Sequence, residues 1–460
     1  MPNRQQDYIK YRKIYSKFIY TSFHYYIKNE ELNISFEFLL ESEFPKDLPS
    51  VKFEPSLNLA LPSSFKGNKI KSQEIDNLVF NMGMVELISY WKAACPAEVI
   101  IKPFYLNEDQ IQFWKKLYWN GLGEFFYINE IAADMQNFMH IRTDSSKKSE
   151  SFSLQTEQKI IVPIGGGKDS AVSLELLKSS SLKLFPFIIN PRGASLSTIK
   201  QAELPEENML LAKRSIDPAL IRLNKQGYLN GHTPFSAMLA FTSLLQAYIT
   251  NTKYIALSNE SSANEPSIAN SNVNHQYSKT FEFESDFRNY YKNYITSDIE
   301  YFSLLRPLSE LQIACLFSKL KSHHYTFRSC NVGSKTDSWC CNCPKCLFTY
   351  IMLAPFIAET ELNAMIGENL IIKPSLKTSL EELRGLTEVK PFECVGTVEE
   401  VNLSLIQAIN KNNYPKPKTL KLQVVTEAEK LFAKSLKDWN QEHFLPEFLE
   451  ILLKQKLSTC

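Results

Sequence analysis

The run IIVPIGGGKDSAVS, residues 160–173, restricts the possible folds more than any other stretch of this chain. A short apolar segment stops at Gly165, Gly166 and Gly167, and Lys168, Asp169 and Ser170 lead into helical spacing. The apolar run predicts a buried strand, and AVSLELLKSS predicts a helix with Ala171, Leu174 and Leu177 on one face. A glycine-rich turn from strand to helix makes an anion site. Backbone N–H groups converge there, the helix dipole adds partial positive charge, and missing side chains allow close approach. Lys168 can neutralise a phosphate, Ser170 can donate to one, and Asp169 can cap the helix or help hold Mg²⁺. The spacing excludes G-x-x-x-x-G-K-[ST], because Asp169 follows Lys168, and it excludes G-x-G-x-x-G.

Strands and helices alternate around this unit. LKLFPFIIN, NMLLAKR and KYIALSNE read as strands and SAMLAFTSLLQAYI as a helix, which predicts an α/β fold with a doubly wound, mostly parallel sheet. Between Phe18 and Phe53, aromatic and β-branched residues alternate with polar ones, a strand-and-turn pattern. Residues 76–95 change to helical spacing, and NEDQIQFWKKLYWNG reads as a second helix ended by Gly121. DSSKKSESFSLQTEQ, residues 144–158, is polar without periodicity and reads as a linker. The expected organisation is an N-terminal α+β domain over 1–150, a nucleotide-binding domain over 155–360 and a helical C-terminal segment over 361–460.

With 51 Lys and Arg against 50 Asp and Glu there is no basic excess, so a nucleic-acid partner is not expected. The charged N-terminus lacks the apolar stretch of a secretory signal. The longest uncharged run, from Thr233 to Thr252, is interrupted by Pro234, Ser236, Thr242, Ser243 and Gln246 and reads as a buried helix rather than a membrane span. The expected location is the cytoplasm, where disulfides rarely persist, so nine cysteines need another explanation. Five of the nine fall within the 17 residues 330–346. Cys340, Cys343 and Cys346, with Cys330 upstream, supply four thiolates, the donor set of a closed tetrahedral zinc site. Four thiolates leave no open position, so the zinc would be structural; iron–sulfur ligation is the alternative. Cys341 is left over, as a replacement for Cys340, a free thiol or an outlying catalytic candidate.

Three polar stretches stand near expected strand ends or helix starts: NGHTPFS (230–236), SNESSANE (258–265) and VNHQYSKTFEFE (273–284). The second follows the strand KYIAL, at the sheet edge where open α/β folds hold ligands. Each could be caps and turns, but together His232, Glu260, Glu265, His275 and Lys279 read as a site.

Gly166, Gly167, Asp169 and Ser170 resemble the S-G-G-x-D-S loop of the PP-loop ATP pyrophosphatases, with Gly165 where that superfamily has Ser. The resemblance implies cleavage of ATP between its α- and β-phosphates, and so adenylation of a substrate. Followed by a four-Cys cluster, the loop also resembles 7-cyano-7-deazaguanine synthases. The stretches YWKAACPAEVIIK, GLGEFFYIN, IGGGKDSAVSLELL, NGHTPFSA, SNESSANE, VNHQYSKTFEFE, CCNCPKCLF and KPFECVGTVEE, spread over roughly 76–405, are together similar to the UDP-N-acetyl-α-D-muramoyl-L-alanyl-L-glutamate epimerases. That family resemblance implies ATP- and Mg²⁺-dependent inversion of the terminal L-Glu of a UDP-MurNAc-dipeptide, for peptidoglycan. It implies that Gly165, Gly166, Gly167, Lys168, Asp169 and Ser170 hold ATP, with Asn190 by the adenine. His232, Glu260, His275 and Lys279 are then the candidate acids and bases, in no given order. Residues 76–130 are the favoured place for the UDP-sugar. The competing readings are another adenylating enzyme, acting on a deazapurine or tRNA, and a catalytically silent nucleotide sensor or zinc-stabilised interaction protein; the intact Gly-Gly-Lys-Asp-Ser run argues against the silent reading.

Overall fold

The computed structural model describes residues 3–43, 48–62, 65, 71–412, 414–416, 425–458 and 460; residues 417–424 of the expected C-terminal segment lie outside these. Among the described residues, eleven strands form one sheet. They are β1 (Tyr15–Lys28), β2 (Glu31–Ser42), β3 (Val51–Phe53), β4 (Ser56–Ala60), β5 (Glu98–Ile101), β6 (His140–Thr143), β7 (Glu157–Pro163), β8 (Lys183–Ile189), β9 (Leu210–Ser215), β10 (Thr252–Leu257) and β11 (Glu300–Ser303). The order is β11-β10-β7-β8-β9-β4-β2-β1-β5-β6, with β3 beside β2.

Local chemistry accounts for the first hairpin. Asn29 and Glu30 both have positive φ, 53° and 59°, as a two-residue turn matched to strand twist requires. Lys28 is therefore opposite Glu31, and Leu32, Ile34, Phe36, Phe38 and Leu40 all point to the buried side of β2. Six of the strand pairings are parallel. The four antiparallel ones gather around β2 and β4, so the sheet is mixed and mostly parallel. β4 pairs with β9 from Ser56↔Ser215 to Leu59↔Ala212. Strands from either side of residues 144–158 thus belong to one continuous sheet, and within that stretch the Phe152 and Leu154 N–H groups donate to Ile295 O and Asp298 Oδ2.

Both faces of the sheet are covered. Ile161 of β7 joins the helices Ser72–Trp91, Phe235–Thr250 and Phe281–Tyr294 in one core. Its neighbours Ile160 and Val162 join Lys168–Leu177, Glu310–Ser318 and Pro344–Leu353 in the other. A strand buried on both faces reads as a continuous apolar run, which is the reason KIIVPI carries no polar alternation. One disulfide, Cys315–Cys460, ties the last residue to the helix Glu310–Ser318 across 6.0 Å between Cα atoms. It departs from the expectation of unpaired thiols: 145 residues of chain separate the partners, and the folding of the C-terminus back onto this helix brings them together.

Gly83 lets its helix approach the sheet closely, since a Cβ there would lie 2.0 Å from Tyr20 Oη and 2.9 Å from Phe36 Cδ1. Gly83→Ala should cost about 1–3 kcal/mol through overpacking, seen as a lower urea midpoint with an unchanged slope.

Candidate active site

From β7 the chain steps to β8 and β9 on one side, and it returns to β10 and β11 on the other. The crevice at this reversal lies beyond the carboxyl ends of β7 and β10, the place where open α/β sheets bind ligands. Gly165–Gly167 follow β7 and Ser258–Glu260 follow β10. Gly166 has φ of 85°, and a Cβ there would stand 2.6 Å from Ser195 N and 2.7 Å from the carbonyl carbon of Ala194, so both conformation and crowding require glycine. Gly165 faces open space. Ser170 Oγ accepts the Gly166 N–H at 3.2 Å and donates to Gly167 O at 3.0 Å, bracing the turn from inside.

The loop borders a cavity of about 320 Å³. Arg192, Lys279, Arg328 and Lys345 bring positive charge to its lining, and Asp169 and Glu260 bring negative charge. Surplus cations beside open backbone amides suit a polyphosphate, and two carboxylates suit its divalent cation. Ile189 and Arg192 line this cavity, whereas Asn190 uses its side-chain oxygen to accept the Arg214 N–H at 2.8 Å, bridging β8 to β9. Lys168 is turned inward: its ammonium pairs with Asp169 and Glu310, and its side chain is 3% exposed. Burial pushes the Glu310 carboxyl well above its usual range, against the pull of Lys168. The charge of Lys168 is therefore engaged by protein carboxylates, while Arg192, Arg328 and Lys345, none of them anticipated from sequence, line the cavity.

His232 and His275 lie together beyond Lys279. Their ring centroids are 4.3 Å apart, and Glu124 Oε2 is 2.5 Å from His275 Nδ1 and 3.8 Å from His232 Nδ1. Lys279 Nζ donates to Cys394 Sγ at 3.1 Å, and His275 also hydrogen-bonds Cys394. The result is a polar row, Glu124–His275–Cys394–Lys279, ending at the cavity. Burial works against the His275 imidazolium, but Cys394 and Glu124 hold its pKa up at about 9. Burial, reinforced by the adjacent His275 charge, drives His232 down to about 4. Lys92 and Lys279 add further positive charge near His232, which favours an acid–base cluster over a cation site. For Glu260, burial raises the carboxyl and Lys279 opposes the rise. Glu265 stands apart, paired with Lys390.

Cys330, Cys340, Cys343 and Cys346 converge with sulfurs within 4.8 Å of one another. Cys343 caps the helix Pro344–Leu353, its Sγ accepting the Cys346 N–H. The Sγ separations are 3.5 Å for Cys343–Cys346 and 3.8 Å for Cys340–Cys346. A tetrahedron with metal–sulfur bonds of about 2.3 Å has edges of about 3.8 Å, so the quartet fits zinc without rearrangement. Cys341, at φ of 52°, turns away and donates to Ile366 O. The quartet adjoins the glycine loop: Arg328 N–H donates to Gly166 O at 2.8 Å, and Cys330 itself lines the cavity.

Glu124 and Cys394 are not among the residues expected from sequence, although they lie in GLGEFFYIN and KPFECVGTVEE. They meet their partner His275 from 151 residues upstream and 119 downstream, and the available signal was the pairing of a Glu and a Cys with two His in otherwise unexplained stretches.

The MurL N-terminal domain matches residues 10–304 and the MurL C-terminal domain residues 326–439. A protein of Salinispora tropica is 32% identical over 364 residues, covering 77% of this chain and 78% of that protein. Others from Micromonospora sp. and Xanthomonas oryzae pv. oryzae are 34% and 33% identical, covering 69% and 68% of this chain and 72% and 70% of those proteins. All three are named UDP-N-acetyl-alpha-D-muramoyl-L-alanyl-L-glutamate epimerase. No solved structure matches. The protein is accordingly an isomerase, of the kind that inverts a single carbon centre. It belongs to the MurL family of UDP-N-acetyl-α-D-muramoyl-L-alanyl-L-glutamate epimerases.

His232 offers a test of the site's electrostatics. It stays neutral in the fold down to about pH 4, against an ordinary value of 6.5, so between these values the unfolded chain binds a proton that the folded chain does not. Stability should fall as pH drops through that window. His232→Asn should reduce the slope of unfolding free energy against pH there by one proton, measured by urea melts at stepped pH.

Proposed function

We propose that this protein uses ATP to invert the terminal L-Glu of UDP-MurNAc-L-Ala-L-Glu, releasing AMP and diphosphate. The observation that carries the reading is that the glycine-loop cavity and the Glu124–His275–Cys394 row meet at Lys279, which lines the one and hydrogen-bonds the other. An activating site and a proton-transfer site are thus one residue apart.

The chemistry needs both. A carbon beside a free carboxylate resists deprotonation, because its carbanion adds charge to an existing anion. Adenylation removes that charge and turns the carboxyl into an electron sink. The loop Gly165–Gly167, braced from inside by Ser170, holds the phosphates in the manner of PP-loop pyrophosphatases, and Arg192, Arg328 and Lys345 offset their charge as it shifts to the leaving diphosphate. Asp169 and Glu260 would hold Mg²⁺, which neutralises phosphate charge. Lys279, whose ammonium is disfavoured by burial but held charged by Cys394 and Glu260, faces the carboxylate under activation. Protons move among His275, Cys394, Lys279 and neutral His232. A cavity of about 640 Å³ lined by Trp119, Asn120, Phe126, Tyr127 and Asn272 lies beside Glu124. Its aromatic faces and amides suit a nucleotide sugar, and Tyr127 packs on Phe392, two residues from Cys394. The four-Cys site would hold a structural zinc that fixes Arg328 and Ser329 over the loop.

With ATP, Mg²⁺ and UDP-MurNAc-L-Ala-L-Glu in D₂O, the expected products are AMP, diphosphate and D-Glu carrying deuterium at its α-carbon. AMP without inversion, or no AMP with either epimer, rejects the reading. Cys343→Ser should lower zinc content from about one per chain toward zero and reduce Tm, measured by metal analysis and calorimetry; full zinc retention removes the four-thiolate assignment.

A further inference from the structure

We propose that the Cys394 side chain, as a thiolate, is one of the two groups that exchange the α-proton, and that Glu124 and His275 are its positioning residues; the role rests on the epimerase reading above.

The placement of Cys394 is strongly determined. The segment leading to it is laid on the loop that carries the histidine: Val389 bridges Ile268, Ala269 N–H donates to Glu388 O at 3.2 Å, and Lys390 N–H donates to Ser267 O at 2.9 Å. Lys390 Nζ joins Glu265 and donates to Gly396 O at 2.9 Å, while Gln276 Nε2 donates to Val395 O at 3.3 Å. On the far side Gly396 passes over Glu310, Glu400 and Phe348 so closely that a Cβ would meet each within 3.1 Å. Cys394 is thereby fixed between two strongly held neighbours.

Its chemical surroundings favour the anion. Lys279, His275 and Lys345 face the sulfur with positive charge, and Glu260 and Glu393 are the acidic groups that feel it. Burial alone would keep the thiol protonated, but those three cations hold it well below the usual thiol range. Because Glu124 occupies Nδ1 of His275, the ring's remaining nitrogen, Nε2, is the one left for other partners. A base, its hydrogen-bonded orienter and a carboxylate behind form the usual order of an activated thiol. Lys279 brings that thiolate to the edge of the nucleotide cavity.

In the proposed step Sγ takes the α-hydrogen as a proton. The electron pair of the broken C–H bond enters the bond to the activated carboxyl, giving an enolate. A protonated side chain on the opposite face then delivers a proton to the α-carbon. The thiol returns its proton to solvent by way of His275, and the donor regains one from solvent. Water then adds to the activated carboxyl of the inverted product, breaking the acyl–phosphate bond and releasing AMP and the free carboxylate.

Two measurements with full-length enzyme separate this role from adenylation. Substrate-dependent exchange of diphosphate into ATP reports activation, and α-deuterium uptake from D₂O, starting separately from the L-Glu and D-Glu epimers, reports proton transfer. Cys394→Ser should keep diphosphate exchange within a few-fold of wild type and lose inversion by at least about 10²-fold. It should still label one epimer, the one whose hydrogen the opposite group removes. Thiolate ultraviolet absorbance should fall in Cys394→Ser and in Lys279→Met by the contribution of one thiolate, leaving that of the four-Cys site. Equal labelling of both epimers by Cys394→Ser, loss of diphosphate exchange in that variant, or an acyl–thioester adduct on wild-type Cys394 by mass spectrometry would each overturn the proposal. Absence of diphosphate exchange in wild type would instead overturn the adenylation reading, and this role with it.

Discussion

The site hangs on a buried guanidinium. Arg306 is fully buried, and its nitrogens donate to Glu260 O at 2.7 Å, to Lys279 O, and to Glu284 Oε2 at 3.0 Å. Glu284 in turn accepts from the N–H and hydroxyl of Ser303, at 3.0 and 2.6 Å. Its Nε is buried without a hydrogen-bond partner among the described residues, so the contacts of the two Nη nitrogens alone offset burial of this charge, and removing the paired carboxylate strands it at a cost of about 3–5 kcal/mol. What this network holds is not the core itself but the two loops that deliver Glu260 and Lys279 to the cavity. Fold and function share that one ion pair.

A second constraint comes from the C-terminal third. Residues 388–400 cross from the loop bearing His275 to the pair Lys168–Glu310, where Glu400 Oε1 accepts the Glu310 N–H at 2.6 Å. The cysteine quartet presses Arg328 and Ser329 onto the glycine turn. The sheet supplies the crevice, and segments far along the chain close it. This division explains why the glycine loop resembles a widespread motif while the Glu124–His275–Cys394–Lys279 row is assembled from three separate stretches.

Legibility in the sequence followed contact range. The glycine turn, its flanking strand and helix, and the four-Cys spacing depend on neighbours a few residues away, so residue type and interval suffice to read them; the parallel order of β7 to β11 follows from strand–helix alternation. The antiparallel seam of β4 with β9 has no local signal, because either strand would look the same on an open edge. Lys168 looks like a phosphate ligand until Glu310, 142 residues later, is placed against it. Asn190 sits at the expected strand end, but its positive φ of 54° aims its side chain at β9. Cys394 was hidden for the opposite reason: a single thiol carries no pattern, and its character comes from Lys279, His275 and Lys345.

The His275–Cys394 contact has a consequence for how the protein answers to pH. His275 on its own would add stability that is complete below its unfolded value of 6.5 and lost as pH rises through about 9. Cys394 on its own would add stability that is complete above its unfolded value of 9.0 and lost as pH falls through its depressed folded value. The two contributions therefore run in opposite directions with pH, and where both act they offset one another in the slope of stability. Shifting proton affinity from sulfur to nitrogen on folding thus weakens the acidity signature that either group would leave alone.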